Sequence, residues 1–112
     1  MRYLLLISAD EEEAEAVTSD AGMKAFGEWL DDLERRGVLQ VHAGLHPSAN
    51  ATTVRVRDGQ VLLTDGPYAE GREQVGGLAL IECADLDDAI DIAARHPATA
   101  IGQVEIRPVR ES

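Results

Sequence analysis

The spacing of hydrophobic residues predicts a strand and then a helix in the first third of the chain. Tyr3–Ile7 is continuously apolar, as in a central strand that is buried on both faces. Four later apolar residues recur at intervals of three or four, which is typical of one helix face: Met23, Phe26, Leu30 and Leu33. Ser19 or Asp20 can cap this helix, and Gly37 can end it. Trp29 borders its apolar face.

The next part of the chain predicts a hairpin between further strands. Two alternating runs, Thr53–Arg57 and Gln60–Thr64, are joined by Asp58-Gly59, a preferred two-residue hairpin loop. In that register Val56 faces Val61 and Val54 faces Leu63, so one side of the hairpin is apolar. Other segments have the composition of strands: Val38–Ala43, Leu78–Cys83 and Gln103–Val109.

A second helix is predicted between the last two strands. Asp85 can cap it, and Pro97 ends it. Its expected buried stripe is Leu86, Ala89, Ile90 and Ala93. The resulting order, β-α-β, hairpin, β-α-β, is the split βαβ pattern of an α+β, ferredoxin-like fold with an inserted hairpin. We expect one domain over residues 1–112.

Two helices can cover only one face of this sheet, although two of its strands, Tyr3–Ile7 and Leu78–Cys83, are apolar on both faces. Soluble monomers avoid such a large exposed apolar surface. We therefore expect two copies to pair sheet to sheet as a homodimer.

The composition limits the partners of the protein. The chain has 21 acidic and 10 basic residues and a net charge of −11. Such a surface disfavours nucleic acid and anionic membranes. Tyr3–Ile7 is too short for a signal-peptide core or a membrane span, so we expect a cytoplasmic protein. Cys83 is the only cysteine, and a buried, inert thiol is expected there.

The turn Asp65-Gly66-Pro67 is the main candidate for chemistry. Asp65 follows a strand and could act as a general acid or base; the alternative is that its carboxylate only caps the turn. Tyr68 follows on the same loop and could offer its hydroxyl to a ligand or simply pack. We take Asp65 as the catalytic candidate. The ligand-binding candidates are Tyr68, Glu70, Trp29 and His46.

The histidines do not predict a metal site. His42 and His46 are four residues apart, but four strand residues span about 13 Å, too far for one zinc ion. His96 is expected to contact the end of the second helix. No glycine-rich phosphate loop or serine nucleophile motif is present in the sequence, so no cofactor or metal is predicted.

An ordered set of motifs resembles the YCII-related family, in the branch named for its Asp-Gly-Pro-Phe motif. Tyr68 stands where that branch usually has Phe. The matching segments run through most of the chain: Tyr3–Ile7, Gly44-Leu45 with Pro47, Thr53–Asp58, Asp65-Gly66-Pro67, Glu70, Glu73, Gly76-Gly77, Glu82, Asp85-Leu86 and Glu105–Val109.

The resemblance implies a dimeric α+β barrel. In the YCII branch a helical histidine and an aspartate near a strand end are proposed as a catalytic pair. Asp65 corresponds to that aspartate, but no histidine lies between Met23 and Leu33. Relatives encoded beside extracytoplasmic-function sigma factors imply a sigma factor as a regulatory partner.

Three functions remain open from the sequence. The favoured one is the binding or transformation of a small polar metabolite, in a cleft near the Asp-Gly-Pro turn between the first helix and the sheet. The alternatives are a non-catalytic regulatory partner of a sigma factor and a dimeric scaffold.

Overall fold

Six strands and three α-helices make up the computed structural model, which describes residues 1–68 and 71–111. In chain order they are β1 (Arg2–Asp10), α1 (Glu15–Thr18), α2 (Asp20–Arg35), β2 (Leu39–Gly44), β3 (Thr52–Arg57), β4 (Gln60–Asp65), β5 (Glu73–Glu82), α3 (Leu86–Ala94) and β6 (Gly102–Pro108). Short 3₁₀ turns span Ser48–Asn50 and Pro97–Ala100. Among these residues no helix is long and apolar enough to cross a membrane.

Four strands form one antiparallel sheet in the order β2-β5-β1-β6. β1 and β5 are the two central strands. β6 lies at the edge beside β1, and β2 lies at the edge beside β5. This arrangement confirms the ferredoxin-like prediction. The predicted strand limits were too short at two places, because β1 continues to Asp10 and β5 already begins at Glu73.

The helices cover one face of the sheet and form the core with it. Leu5 lies on β1 and Ile81 on the adjacent strand β5, and both side chains are fully buried. The predicted cap residues of the long helices are correct: Ser19 accepts a hydrogen bond from the backbone N–H of Gly22, and Asp85 accepts one from Asp88.

The buried helix residues differ in part from those predicted. Trp29, expected at the border of its helix face, is 6% exposed, whereas Met23 is 51% exposed. The indole Nε1–H of Trp29 donates a hydrogen bond to the backbone carbonyl of Ile92 at 2.9 Å and so links α2 to α3. On α3, Ile92 is buried in place of Leu86 and Ile90, which are about half exposed.

The opposite face of the sheet carries apolar side chains that no described helix covers. Leu4, Leu6, Leu78 and Leu80 alternate with the core residues of β1 and β5 and are only partly buried. We call these four leucines the bare face. Val41 of the neighbouring strand is 52% exposed. This is the surface for which pairing with a second copy was predicted.

The hairpin β3–β4 forms a separate two-stranded sheet with the predicted register. Positive φ angles at Asp58 and Gly59 give the expected tight turn. Four apolar residues lie together on one side and are each more than half exposed: Val54, Val56, Val61 and Leu63. Such a hairpin is marginally stable alone, so this side also favours a contact with another chain.

The Asp-Gly-Pro turn closes the base of the hairpin through its backbone. The N–H of Gly66 donates to the carbonyl of Ala51 at 2.7 Å, and the Thr53 hydroxyl donates to the carbonyl of Gly66 at 2.9 Å. Gly66 has a φ of 102°, which favours glycine over other residues. The turn is therefore held by Gly66 and Thr53.

Candidate functional site

A cavity of about 490 Å³ lies between α2 and the ends of β1, β2 and β5. Glycines account for the open space on the sheet side, because Gly44 pairs with Gly77 and Gly77 with Ile7. A Cβ built on Gly44 would meet nothing within 4 Å. Most of the wall is apolar and includes Val17, Met23, Phe26, Trp29 and Leu45.

All three histidines of the chain line this cavity. His42 comes from β2, His46 from the loop after it, and His96 from the segment after α3. The ring of Phe26 lies among them, with ring centres 6.4 Å from His42 and 5.6 Å from His96. Within residues 1–68 and 71–111, no three His, Cys, Asp or Glu side chains are grouped so as to hold a metal ion. An imidazole can in general donate or accept a hydrogen bond and can transfer a proton.

His96 is the buried member of this set, with 4% of its surface exposed. Its Nδ1 accepts a hydrogen bond from the backbone N–H of Ala98 at 2.9 Å, which caps the 3₁₀ turn. Its ring lies edge-on to Trp29, with centres 4.7 Å apart. Burial lowers the pKa of His96 to about 4. With this pKa the ring is neutral near pH 7 and brings no positive charge to the end of the helix.

Glu11 is one of the residues that line the cavity. Its carboxylate accepts hydrogen bonds from the backbone N–H and the hydroxyl of Ser48, which joins the end of β1 to the turn after β2. These two bonds lower the pKa of Glu11. The Glu11 carboxylate thus has a specific partner in Ser48, although the residue lies on the surface.

The sequence-predicted site residues fall into separate places. Trp29 and His46 line the cavity. His46 also lines a shallow neighbouring depression, which includes Tyr68, whose surface is 85% exposed. Asp65 is exposed, lines neither space and makes no side-chain hydrogen bond or ion pair with the described residues. Glu70 lies outside the described residues.

Among the described residues, the Asp65 carboxylate accepts no hydrogen bond that caps the turn. The backbone of Gly66 and the hydroxyl of Thr53 stabilise the turn.

Cys83 is buried as expected, and burial raises the pKa of its thiol, as suits an unreactive core residue.

Sequence reasoning missed His42, His96 and Phe26 as members of one site. They lie on three different elements that only the fold brings together. One sequence signal was present: the His96-Pro97 pair ends the second helix, where a histidine can cap the following turn.

Comparison with known proteins places the chain among small α+β proteins. An uncharacterized protein of Rhizobium meliloti (strain 1021) is 34% identical over 117 residues, covering 97% of this chain and 92% of that protein. A solved structure with the same fold is the 5-chloro-2-hydroxyhydroquinone dehydrochlorinase TftG from Burkholderia phenoliruptrix AC1100, in complex with 2,5-dihydroxybenzoquinone. It is 12% identical, with a TM-score of 0.55 and coverage of 100% of this chain and 96% of TftG.

The family model for the YCII-related domain matches residues 1–112. Assignment to the branch with the Asp-Gly-Pro-Phe motif stays a prediction. By the match over its whole length, the chain belongs to the YCII-related family.

Proposed function

We propose that the protein binds a small, planar molecule with an apolar body and oxygen substituents in the cavity between α2 and the sheet. The observation that carries the proposal is the meeting of an apolar, aromatic wall with three imidazoles in one space. A mainly apolar pocket with a few convergent polar groups is the usual form of a small-molecule site. Its volume of about 490 Å³ lies within the usual range for such sites.

The fold neighbour supports this class of ligand. TftG has been solved with 2,5-dihydroxybenzoquinone, a planar ring that carries carbonyl and hydroxyl oxygens. Phe26 and Trp29 offer aromatic surfaces to such a ring, and His42, His46 and His96 offer polar groups to its oxygens. Imidazoles are also the side chains most often used for proton transfer, so the same site suits a transformation by acid–base chemistry.

This proposal moves the expected site from the Asp-Gly-Pro turn to the cavity. Asp65 then has no direct place in ligand binding within one protomer, and its catalytic role stays a prediction. Tyr68 stays a candidate through the depression that it shares with His46.

Calorimetric titration with 2,5-dihydroxybenzoquinone and with hydroxylated benzoates and lactones tests the proposal. Trp29 is the only tryptophan, so its fluorescence reports occupancy by colourless compounds. We expect saturable binding in the wild type and a loss of at least tenfold in Gly44→Val, because a side chain at that position enters the open space.

Asp65→Ala is the matched comparison for the location of the site. Binding that survives in Asp65→Ala and is lost in Gly44→Val supports the cavity. Binding that is lost in Asp65→Ala and survives in Gly44→Val would instead support a site at the Asp-Gly-Pro turn. If the wild type binds none of the compounds, the small-molecule proposal fails, and the regulatory-partner and scaffold alternatives become the favoured ones.

We also propose a homodimer in which two bare faces pack together. Leu4, Leu6, Leu78 and Leu80 supply the apolar surface. The apolar side of the hairpin extends the exposed surface available to a second chain. Apolar surface of this kind on a soluble protein is most often an interface.

Analytical ultracentrifugation of Leu6→Lys tests the pairing. We expect the wild type to sediment as a dimer and Leu6→Lys as a folded monomer, because a charge at a paired leucine is costly to bury. Ala94→Lys, at an exposed position near the end of α3, is the control and should stay dimeric. A monomeric wild type would instead leave the bare face to a different protein, such as a sigma factor.

A further inference from the structure

The orientation of His96 in the cavity wall is fixed on several sides. Trp29 lies edge-on to the imidazole at 4.7 Å between ring centres, and Phe26 lies at 5.6 Å. Ala98 donates its backbone N–H to Nδ1. A ring held by two aromatic neighbours and one hydrogen bond cannot turn over without breaking all three contacts. The position of Nε2 is therefore fixed as well.

The hydrogen bond from Ala98 also fixes the tautomer. Nδ1 accepts the bond, so it carries no proton, and a neutral imidazole must then carry its proton on Nε2. Protonation of the ring would put a proton on Nδ1, where it would point at the backbone N–H of Ala98. The hydrogen bond that caps the 3₁₀ turn would then be lost. The lowered pKa of His96, at about 4 because of burial, agrees with a ring that stays neutral near pH 7.

We take Nε2 to be the ring nitrogen that faces the cavity, for the following reasons. Among the described residues, the Nδ1 contact is the hydrogen bond that the His96 side chain makes. No fully buried side-chain nitrogen or oxygen in the same residues lacks a partner. Nε2 must therefore reach open space, and His96 lines the cavity while only 4% of its surface is exposed.

We infer that His96 is a specificity-determining residue that donates its Nε2–H to an acceptor oxygen of the ligand. This role rests on the proposed function and narrows the ligand class to molecules with a carbonyl or phenolate oxygen at that point. A group that can only donate a hydrogen bond is rejected, because it would meet an N–H that cannot become an acceptor. His42 and His46 are exposed and make no hydrogen bond within the described part of the chain that would fix their tautomers, so this selectivity belongs to His96.

Two substitutions separate the two nitrogens of the ring. His96→Asn keeps an oxygen near the position of Nδ1, where it can accept from Ala98, and removes the donor in the cavity. His96→Gln reaches the position of Nε2 with an amide donor but gives up the cap. We expect His96→Asn to stay folded and to bind 2,5-dihydroxybenzoquinone about tenfold more weakly. His96→Gln should recover part of that loss.

Nitrogen-15 NMR of the wild type tests the tautomer without any ligand. We expect the His96 ring in the Nε2–H form at pH 7, and a shift of its Nε2 resonance on titration with 2,5-dihydroxybenzoquinone. A proton on Nδ1, an unchanged Nε2 resonance in the bound state, or equal binding by His96→Asn would each overturn the role of His96. These results leave the cavity proposal standing if the wild type still binds.

Absence of binding by the wild type is a different result. It removes the proposed function and the ligand-binding role of His96 together, whichever tautomer the ring has. Melting temperatures of both variants show whether a loss of binding comes from unfolding. The Nε2 shift in the wild type needs no variant and decides the matter if His96→Asn fails to fold.

Discussion

The two faces of the main sheet carry similar residues but have different surroundings. Leu5 and Leu6 are neighbours on β1, yet Leu5 is fully buried beneath the helices and Leu6 is only partly buried on the bare face. The same is true on β5 of Ile81 and Leu80. Apolar sequence alone does not distinguish these faces, because the helices cover only one of them. The covered face holds the core and the cavity, and the bare face is the one that we propose to pair with a second chain.

Replacing the neighbouring leucines sharpens this comparison the most. We expect Leu5→Ala to lower the free energy of unfolding by about 2–5 kcal/mol, because a fully buried leucine leaves a cavity. This loss should be the same at every protein concentration. Chemical denaturation at two concentrations measures it.

Leu6→Ala is the matched variant on the bare face. If that face pairs in a dimer, its effect should depend on protein concentration, because dissociation is coupled to unfolding. A loss as large as that of Leu5→Ala, and independent of concentration, would contradict the difference between the faces.

The pH dependence of stability should come next in size, and it tests the covered face through His96. The pKa of His96 is about 4 in the folded state and near 6.5 in the unfolded chain. Between these values the unfolded chain binds more protons than the folded protein. The contribution of His96 to stability is therefore fully present above pH 6.5 and is lost as the pH falls toward 4. Because the ring also borders the open cavity, where solvent weakens the effect of burial, we expect His96 to contribute about 2 kcal/mol to the free energy of unfolding.

Denaturation of wild type and His96→Asn at pH 7 and pH 4.5 isolates this contribution. The carboxylates titrate in both proteins and cancel in the difference. The stability gap between the two proteins should narrow at the lower pH. An unchanged gap would mean that the imidazole keeps an ordinary pKa in the folded protein and that burial does not act on it as described.

Much of the fold could be predicted because its signals are local. Caps at Ser19 and Asp85 and the Asp58-Gly59 turn each act within a few residues, and all three are confirmed. The register of the hairpin followed from its turn. The bare face could also be anticipated, since two helices cannot cover both faces of one sheet.

The buried side of α3 and the cavity depend on contacts far apart in the chain. Leu86 and Ile90 match a helical stripe as well as Ile92 does, yet only Ile92 is buried, and its backbone carbonyl accepts the bond from Trp29. His96 belongs to the site only because the end of α3 lies against α2. No periodicity in the sequence contains that information.

Gly102 tests the packing of the sheet itself, independently of either face. A Cβ at Gly102 would lie 2.1 Å from the carbonyl oxygen of Ser8, a backbone atom that cannot move without shifting β1. We expect Gly102→Ala to cost about 1–3 kcal/mol, as overpacking usually does. Thermal unfolding measures the loss. Gly76→Ala is the control, because its Cβ would meet nothing within 4 Å and it should be neutral or slightly stabilising.

Asp65 should give the smallest change in stability, since it lies outside both faces of the main sheet. Its carboxylate is exposed and has no bonding partner in the described part of the chain, so Asp65→Ala should change the free energy of unfolding by less than about 0.5 kcal/mol. Gly66→Ala, one residue later, should cost about 1–3 kcal/mol, because its φ of 102° strains any side chain. Urea unfolding of both variants separates the backbone of the turn from its carboxylate. If a reaction is found for this protein and Asp65→Ala abolishes it without loss of stability, the carboxylate acts in catalysis and a second protomer must bring it to the cavity. If neither activity nor stability changes, the Asp-Gly-Pro motif serves the base of the hairpin through Gly66, and the chemistry belongs to the histidines beneath α2.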